Sequence, residues 1–236
     1  MKQLSIILIC FCCITATAQN GFYLQPEVGA GLSNACWQAF SPAGNPGQSS
    51  VFSYQGQMDI GYKAGRWQFI SGIGYLRTGV KSSYNYIVDP FFMQGIAVDY
   101  NNGAFIKADY NPHIIVPVKI GYEVCRFSNR LSFTPIIGAQ FGYNTPRSFV
   151  YQYNSSKGQK ETESQQEFNM WCNPSAIIGL LQLNFEYRLN DRYDLTAGPS
   201  LHYMFTSEIN FANEYDYSLL LNVGLKRHFK NRKPIM

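Results

Sequence analysis

Apolar and polar side chains alternate along Leu131–Tyr143, and the apolar series is unbroken. Leu131, Phe133 and every second residue up to Tyr143 are apolar, whereas the residues between them are mostly serine, threonine, glycine or glutamine. Successive side chains of an extended chain point to opposite faces, so the pattern predicts a β-strand with one apolar and one polar face. The stretch has 13 residues, and a strand needs about 9–11 to cross a bilayer. Its length therefore favours a strand that spans a membrane.

The same alternation recurs along the chain and predicts eight strands in all. The predicted connections are long after the first, third and fifth strands and very short after the second, fourth and sixth. Outer-membrane barrels have short periplasmic turns and longer outside loops. The sequence therefore predicts an all-β fold, a closed eight-stranded antiparallel up-and-down transmembrane β-barrel, monomeric in the outer membrane with both termini in the periplasm. The predicted strands are Phe22–Ser33, Phe52–Lys63, Trp67–Thr78, His113–Cys125, Leu131–Tyr143, Pro174–Leu189, Tyr193–Thr206 and Tyr215–Phe229.

The apolar face of the predicted strands carries no charge through the body of each strand. A charge that faces lipid at mid-bilayer costs about 2–4 kcal/mol, whereas the solvent face of a soluble protein normally carries charges. The alternative fold is a soluble β-sandwich or lipocalin-like barrel, which would turn the apolar face inward and expose the sparsely charged face to water.

Proline interrupts the hydrogen-bonding pattern inside four of the predicted strands, at Pro26, Pro117, Pro135 and Pro199. Proline lacks the N–H that a ladder uses, and in sheets it is normally confined to edges or bulges. A closed barrel has no edges, so we expect β-bulges at these positions.

Charged side chains on the polar face of the strands predict a filled lumen. Eight strands enclose a space just wide enough for side chains, and buried charges must be paired to limit the cost of burial. We expect an ion-pair network that plugs the barrel, with a narrow or gated ion or small-solute path as the alternative. The predicted network consists of Glu27, Asp59, Lys63, Lys119, Glu123, Glu186, Arg188, Asp194 and Lys226.

The N-terminal segment indicates an export signal, and the overall charge argues against nucleic acid as a partner. Met1–Ala18 has a basic start, an apolar centre and small residues before a cleavage position, which indicates a signal peptide. Residues 19–229 would then form the barrel domain and residues 230–236 a short basic periplasmic tail. A scattered net charge of +4 argues against nucleic-acid binding. The expected surroundings are outer-membrane lipid.

The long outside connections, residues 79–112 and 144–173, are the predicted docking surfaces for a protein or glycan partner. Phe91, Phe92 and Met93 follow one another in the first of them, and exposed apolar patches often mark interaction sites. The alternative is that these three side chains pack over the barrel mouth.

Three cysteines follow the predicted leader, so at least one lacks a partner within the chain. Cys36 and Cys172 both fall in predicted outside loops, whereas Cys125 falls at the opposite rim. A disulfide between Cys36 and Cys172 is therefore compatible with the predicted topology.

Candidate catalytic chemistry is sparse. A lipid-A deacylase barrel presents His-x-Ser on a strand, with the serine as nucleophile and the histidine as base. Here His202 is followed at that spacing by Met204, and no group of acids, histidines and cysteines has metal-ligand spacing. We therefore expect no catalytic residues, no cofactor and no metal site, with a lipid-A-modifying enzyme barrel as the less favoured alternative.

Several segments resemble the small outer-membrane β-barrel proteins of the Bacteroidetes type, including the PorT-like family. These are Ile114–Tyr122, which reads IIVPVKIGY, the Gly-x-Gly-Tyr of Gly72–Tyr75, and the C-terminal strand. The resemblance covers most of residues 20–229 and implies an outer-membrane barrel more than a particular role. The C-terminal strand, with Phe229 as its last aromatic residue, is similar to the signal read by the barrel-assembly machinery, although Arg227 stands where an apolar residue is expected.

Overall fold

A computed structural model describes residues 21–38, 47–84, 105–154, 160–167, 174–206 and 213–229 of the 236-residue chain. These residues form eleven strands. The strands are β1 (Gly21–Gln38), β2 (Gly47–Ala64), β3 (Trp67–Tyr84), β4 (Phe105–Tyr122), β5 (Cys125–Arg126), β6 (Leu131–Asn144), β7 (Arg147–Asn154), β8 (Lys160–Glu167), β9 (Ser175–Arg188), β10 (Tyr193–Met204) and β11 (Asn213–His228).

Eight of the strands close into a barrel. Their order around the barrel is β1, β2, β3, β4, β6, β9, β10 and β11, and every neighbouring pair is antiparallel. β11 pairs with β1 along nearly its whole length, from Tyr23↔His228 to Gln38↔Asn213, which closes the sheet. The predicted fold class is confirmed.

The strands continue beyond the predicted boundaries at the end of the barrel that carries the long connections. β3 and β4 stay paired from Thr78↔Asn111 up to Tyr84↔Phe105, so part of the predicted loop 79–112 is sheet. The predicted loop 144–173 contains β7 and β8, and β7 takes over from β6 as the partner of β4. Alternation is a weak signal in these extensions because their outer faces need not be apolar.

At the opposite end of the barrel, the fourth predicted strand ends early. β4 stops at Tyr122 rather than Cys125, and Cys125 begins the two-residue strand β5, which pairs with Phe133 and Ser132 of β6. The amide of Glu123 instead donates to the carbonyl of Arg66, 2.8 Å away, and so joins the turn after β4 to the turn after β2.

The expected bulges at the four prolines are wrong. Pro26, Pro117 and Pro199 each pair on one side, while the ladder on the other side skips them and resumes in the same register. Pro135 pairs with β9 and lies just beyond Ile136, the last residue of β6 that pairs with β4. Each proline thus sits where one of its two ladders lacks a pair, so the missing N–H does not force an extra residue into the strand. Among the described ladders, the register shift lies elsewhere, between β2 and β3.

The two faces of the sheet have opposite chemistry, with the apolar face outside. Val28 of β1 is 65% exposed and Leu221 of β11 is 62% exposed, whereas Glu27, the residue before Val28, points into the barrel and is 2% exposed. The interior carries glutamine, asparagine, serine, threonine and charged side chains. This arrangement excludes the soluble alternative, in which the apolar face would form the core. No helix in the described part of the chain is long and apolar enough to cross a membrane.

Candidate functional site

The lumen is filled by stacked layers of side chains. Near its middle lies an ion pair between β2 and β4, two strands that are separated by β3. Lys119 of β4 reaches across β3, and its Nζ lies 2.6 Å from Asp59 Oδ2 on β2. Both side chains are 1% exposed. Gly72 of β3 lies between them, and a Cβ atom there would lie 2.8 Å from Asp59 Oδ1. A glycine at this inward position therefore leaves room for the ion pair.

A second ion pair lies closer to the end with the short connections. Lys226 Nζ lies 2.7 Å from Glu186 Oε1 and donates to Gln68 Oε1 at 2.9 Å. Gln68 in turn donates its amide N–H to Glu186 at 2.8 Å and accepts the hydroxyl proton of Tyr23 at 3.0 Å. Lys226 Nζ also lies 4.5 Å from the centroid of the Tyr23 ring. The carboxylate of Glu186 and three side chains from three other strands thus form one buried network.

The layer at the end with the short connections is also charged. Glu123 accepts from Lys63 at 2.6 Å and from Arg126 at 2.8 Å. Asp194 Oδ2 lies 2.9 Å from His228 Nε2. Arg188, which the sequence placed in the network, is half-buried and lies opposite Asp194 in the ladder between β9 and β10.

Glu27 has a different environment from the other predicted network acids. It accepts hydrogen bonds from the amide nitrogens of Gln57, Gln25 and Gln182 at 2.7, 2.9 and 3.0 Å. No Lys, Arg or His nitrogen among the described residues lies within salt-bridge distance of it. Glutamine amides, rather than a base, are its direct partners.

A chain of hydrogen bonds crosses the lumen above these charges. Gln55 donates to Asn222 at 2.7 Å, and Asn222 donates to the Ser200 hydroxyl at 2.7 Å. Ser200 Oγ lies 2.9 Å from His202 Nε2, and His202 Nδ1 lies 3.2 Å from Gln140 Oε1. The His-x-Ser pattern considered in the sequence places serine after histidine, so it does not find Ser200, which precedes His202 by two residues. Ser200 and His202 are each 1% exposed, so the pair is enclosed.

An apolar layer separates this chain from the mouth of the barrel at the end with the long connections. Its six members come from five strands and are 0–3% exposed. Sequence reasoning missed the layer because it assigned the inward face as polar, yet Leu76 and Leu220 have the same parity as inward polar residues of β3 and β11. The layer consists of Leu76, Ile115, Ala176, Ile178, Met204 and Leu220.

The mouth above the apolar layer is polar again. Arg147 Nη2 lies 3.2 Å from Asp109 Oδ2. Asp216 Oδ2 accepts from Thr78 at 2.6 Å and from Asn111 at 3.0 Å. Asp109, Asn111 and Arg147 lie in segments that sequence analysis treated as loops, so they were absent from the predicted network. Asp216 lies inside a predicted strand, on its polar face, and was not included in that network.

The other predicted site residues are not brought together by the described structure. Phe91, Phe92, Met93 and Cys172 lie outside the described residues, as does the predicted signal peptide. Cys36 lies in β1 and is exposed, so its assignment to a loop is wrong. The Cys36–Cys172 disulfide therefore stays a prediction. Within the described ranges, no group of three or more His, Cys, Asp or Glu side chains could hold a metal ion.

Comparisons with known proteins add few constraints. No family model matches the chain. No curated protein matches it. Solved structures similar to the chain include Neisserial surface protein A, at 14% identity over 90% of this chain and 99% of that one, with a TM-score of 0.44. The outer membrane protease OmpT from Escherichia coli is 11% identical over 90% of this chain and 98% of that one, with a TM-score of 0.43. The outer membrane protein OprG from Pseudomonas aeruginosa is 9% identical over 92% and 99%, with a TM-score of 0.39. Likeness of this degree identifies neither a family nor a role.

Proposed function

We propose that the protein is an integral outer-membrane β-barrel with a structural or binding role and a closed lumen. The observation that carries this proposal is the inversion of the two faces. Large apolar side chains are exposed on each of the eight barrel strands, while the lumen side carries buried ion pairs. In water this exterior would expose a continuous apolar surface, which soluble monomers rarely do. In a bilayer it is the expected lipid-facing surface.

Cell fractionation combined with a folded-versus-boiled gel tests this proposal directly. We expect the protein in the outer-membrane fraction, with an unboiled band that migrates differently from the boiled one because a closed barrel keeps its shape in detergent. The matched control is the same sample treated with urea before loading, which should remove the difference. Recovery in the soluble fraction would contradict the proposal.

A channel is the alternative role, and the layered lumen disfavours it. The apolar layer has no groups to replace an ion's water, and buried ion pairs fill the space on its periplasmic side. We expect the purified protein to give no discrete conductance steps in planar bilayers. Conductance steps of the wild type, with a different step size in the Leu220→Ser variant, would contradict a closed lumen. Leu220 lies in the apolar layer inside the barrel, so a change there would alter the step size only if ions pass through the lumen.

An enzymatic role is a weaker alternative. Ser200 and His202 are in hydrogen-bond contact, but both are enclosed between the charged layers and the apolar layer. A nucleophile needs access to its substrate, and these residues have none from the lipid. We propose that the protein is non-enzymatic and that the pair is part of the lumen packing.

The remaining proposals concern partners. We propose that the barrel is monomeric, that its C-terminal strand is recognised by the barrel-assembly machinery, and that the connections spanning residues 79–112 and 144–173 dock a protein or glycan. The support is the resemblance of the sequence to Bacteroidetes-type barrels of the PorT-like kind, together with the β7–β8 hairpin, which extends the sheet beyond the barrel.

A further inference from the structure

An arginine faces outward at the upper edge of the apolar belt. Arg77 has the same parity on β3 as Ile73 and Tyr75, which are exposed, while its neighbours Leu76 and Thr78 point into the lumen and are buried. Arg77 itself is half-buried. A cation on the lipid-facing side is costly unless it lies at the interface, so its height along the barrel matters.

The height of Arg77 places it at a membrane interface. Trp67 begins β3 at the opposite end, is 48% exposed and packs against Tyr122 with ring centroids 4.7 Å apart. Aromatic residues of this kind mark the level of the headgroups. Arg77 follows Trp67 by ten residues. At about 3.4 Å per residue and a tilt of about 40°, it lies about 26 Å higher, which is the thickness of the apolar band.

Two tyrosines hold the guanidinium group. Its Cζ lies 3.9 Å from the centroid of the Tyr110 ring on β4 and 5.6 Å from that of Tyr54 on β2. Among the described residues, no carboxylate lies within salt-bridge distance of Arg77. Stacking on a ring face leaves the N–H groups at the edge of the guanidinium plane available, and that edge matches the geometry of a phosphate.

A second cation and an open groove lie on either side of this arginine. Lys81 follows four residues later on the same outward face of β3, farther from the belt, and is also half-buried. Below Arg77, Gly56 of β2 lies opposite Tyr75, and a Cβ atom at Gly56 would meet nothing within 4 Å. Gly56 lines an apolar groove whose other walls include Val28 of β1 and Val223 of β11. The outer surface therefore offers two positive groups at the headgroup level, with an apolar groove that begins below them at Gly56 and runs toward β1 and β11.

We propose that this outer face of β2, β3 and β4 is a binding site for the phosphate group of a glycolipid of the lipid A type in the outer leaflet. Arg77 and Lys81 bind the phosphate, and an acyl chain lies in the groove at Gly56. Charge complementarity and the position of the cations at the interface favour a lipid phosphate over a soluble anion. The inference rests on the proposed outer-membrane location.

Native mass spectrometry of the full-length protein tests the site, with bisphosphorylated lipid A and the same lipid without its phosphates as probes. We expect the wild type to prefer the phosphorylated lipid by about tenfold or more, which corresponds to one charge-assisted contact. The double variant Arg77→Gln/Lys81→Gln should lose this preference. Arg77→Lys should bind more weakly than the wild type because an ammonium group cannot form the bidentate contact.

The matched control is Arg227→Gln, since Arg227 is exposed on the outward face of β11 at the other end of the barrel. It should bind phosphorylated lipid A to within about twofold of the wild type, as expected for a remote surface charge. Unchanged binding by the double variant, equal binding of the phosphate-free lipid, or an equal loss in Arg227→Gln would each overturn the site. In those cases the proposed function survives if the double variant still shows the folded-versus-boiled gel shift and is still recovered in the outer-membrane fraction. Recovery of the wild-type protein in the soluble fraction would instead overturn the proposed function.

Discussion

Replacing Lys119 by methionine should destabilise the folded barrel by about 3–5 kcal/mol, the usual cost of leaving a buried charge without its partner. Lys119 is the salt-bridge partner of Asp59, at 2.6 Å, and both side chains are 1% exposed. Methionine keeps most of the side-chain volume, so the loss comes from the carboxylate rather than from a cavity. The free energy of unfolding would be measured by urea titration of the refolded protein, followed by tryptophan fluorescence and the gel shift.

The double variant Asp59→Leu/Lys119→Met separates the pair from the residues around it. Removing both charges leaves no uncompensated group, and such replacements are often nearly neutral. We therefore expect the double variant to recover most of the stability lost in Lys119→Met. Arg130→Met is the control because Arg130 is exposed in the turn before β6, and it should change stability by less than about 0.5 kcal/mol. A Lys119→Met variant as stable as this control would show that the lumen is wet enough to solvate Asp59.

The number of barrel strands and the direction of their faces were predictable because the bilayer constrains every lipid-facing residue. Along β6, Leu131–Asn144, every outward position up to Tyr143 is apolar, as the period of two alone predicts, while Ile136 is an apolar residue on the inward, buried face. That constraint ends at the upper rim. The sheet continues there through Ser82 and Ser83 of β3 and through β7 and β8, where the outer face is no longer in hydrocarbon and alternation weakens.

The partners inside the lumen could not be predicted from parity. Lys119 contacts Asp59 rather than any other inward acid because Gly72 leaves a gap on the strand between them. Glu27 has three glutamine partners instead of a base, which depends on the register of three strands at once. Leu220 is inward yet apolar, because a layer buried among side chains, unlike one facing lipid, admits either chemistry if its groups are satisfied.

Placing an arginine at Ile73 should destabilise the barrel by about 2–4 kcal/mol, the cost of a lipid-facing charge at mid-bilayer. Ile73 is 60% exposed on β3 and lies between Trp67 and Arg77, which mark the two edges of the apolar belt. The variant would be refolded into phospholipid vesicles, and its free energy of unfolding would be compared with that of the wild type.

The control for Ile73→Arg is Phe127→Arg, because Phe127 is equally exposed, at 63%, but lies in the short turn beyond the end of β5. A charge near the interface costs about 0–1 kcal/mol, so the two variants should differ by about 1–4 kcal/mol. The difference should shrink when both proteins are unfolded from detergent micelles, whose headgroups and water approach the belt more closely. Equally small effects at the two positions in vesicles would mean that water, rather than hydrocarbon, covers Ile73. The lipid bilayer would then not be what covers the outward apolar face.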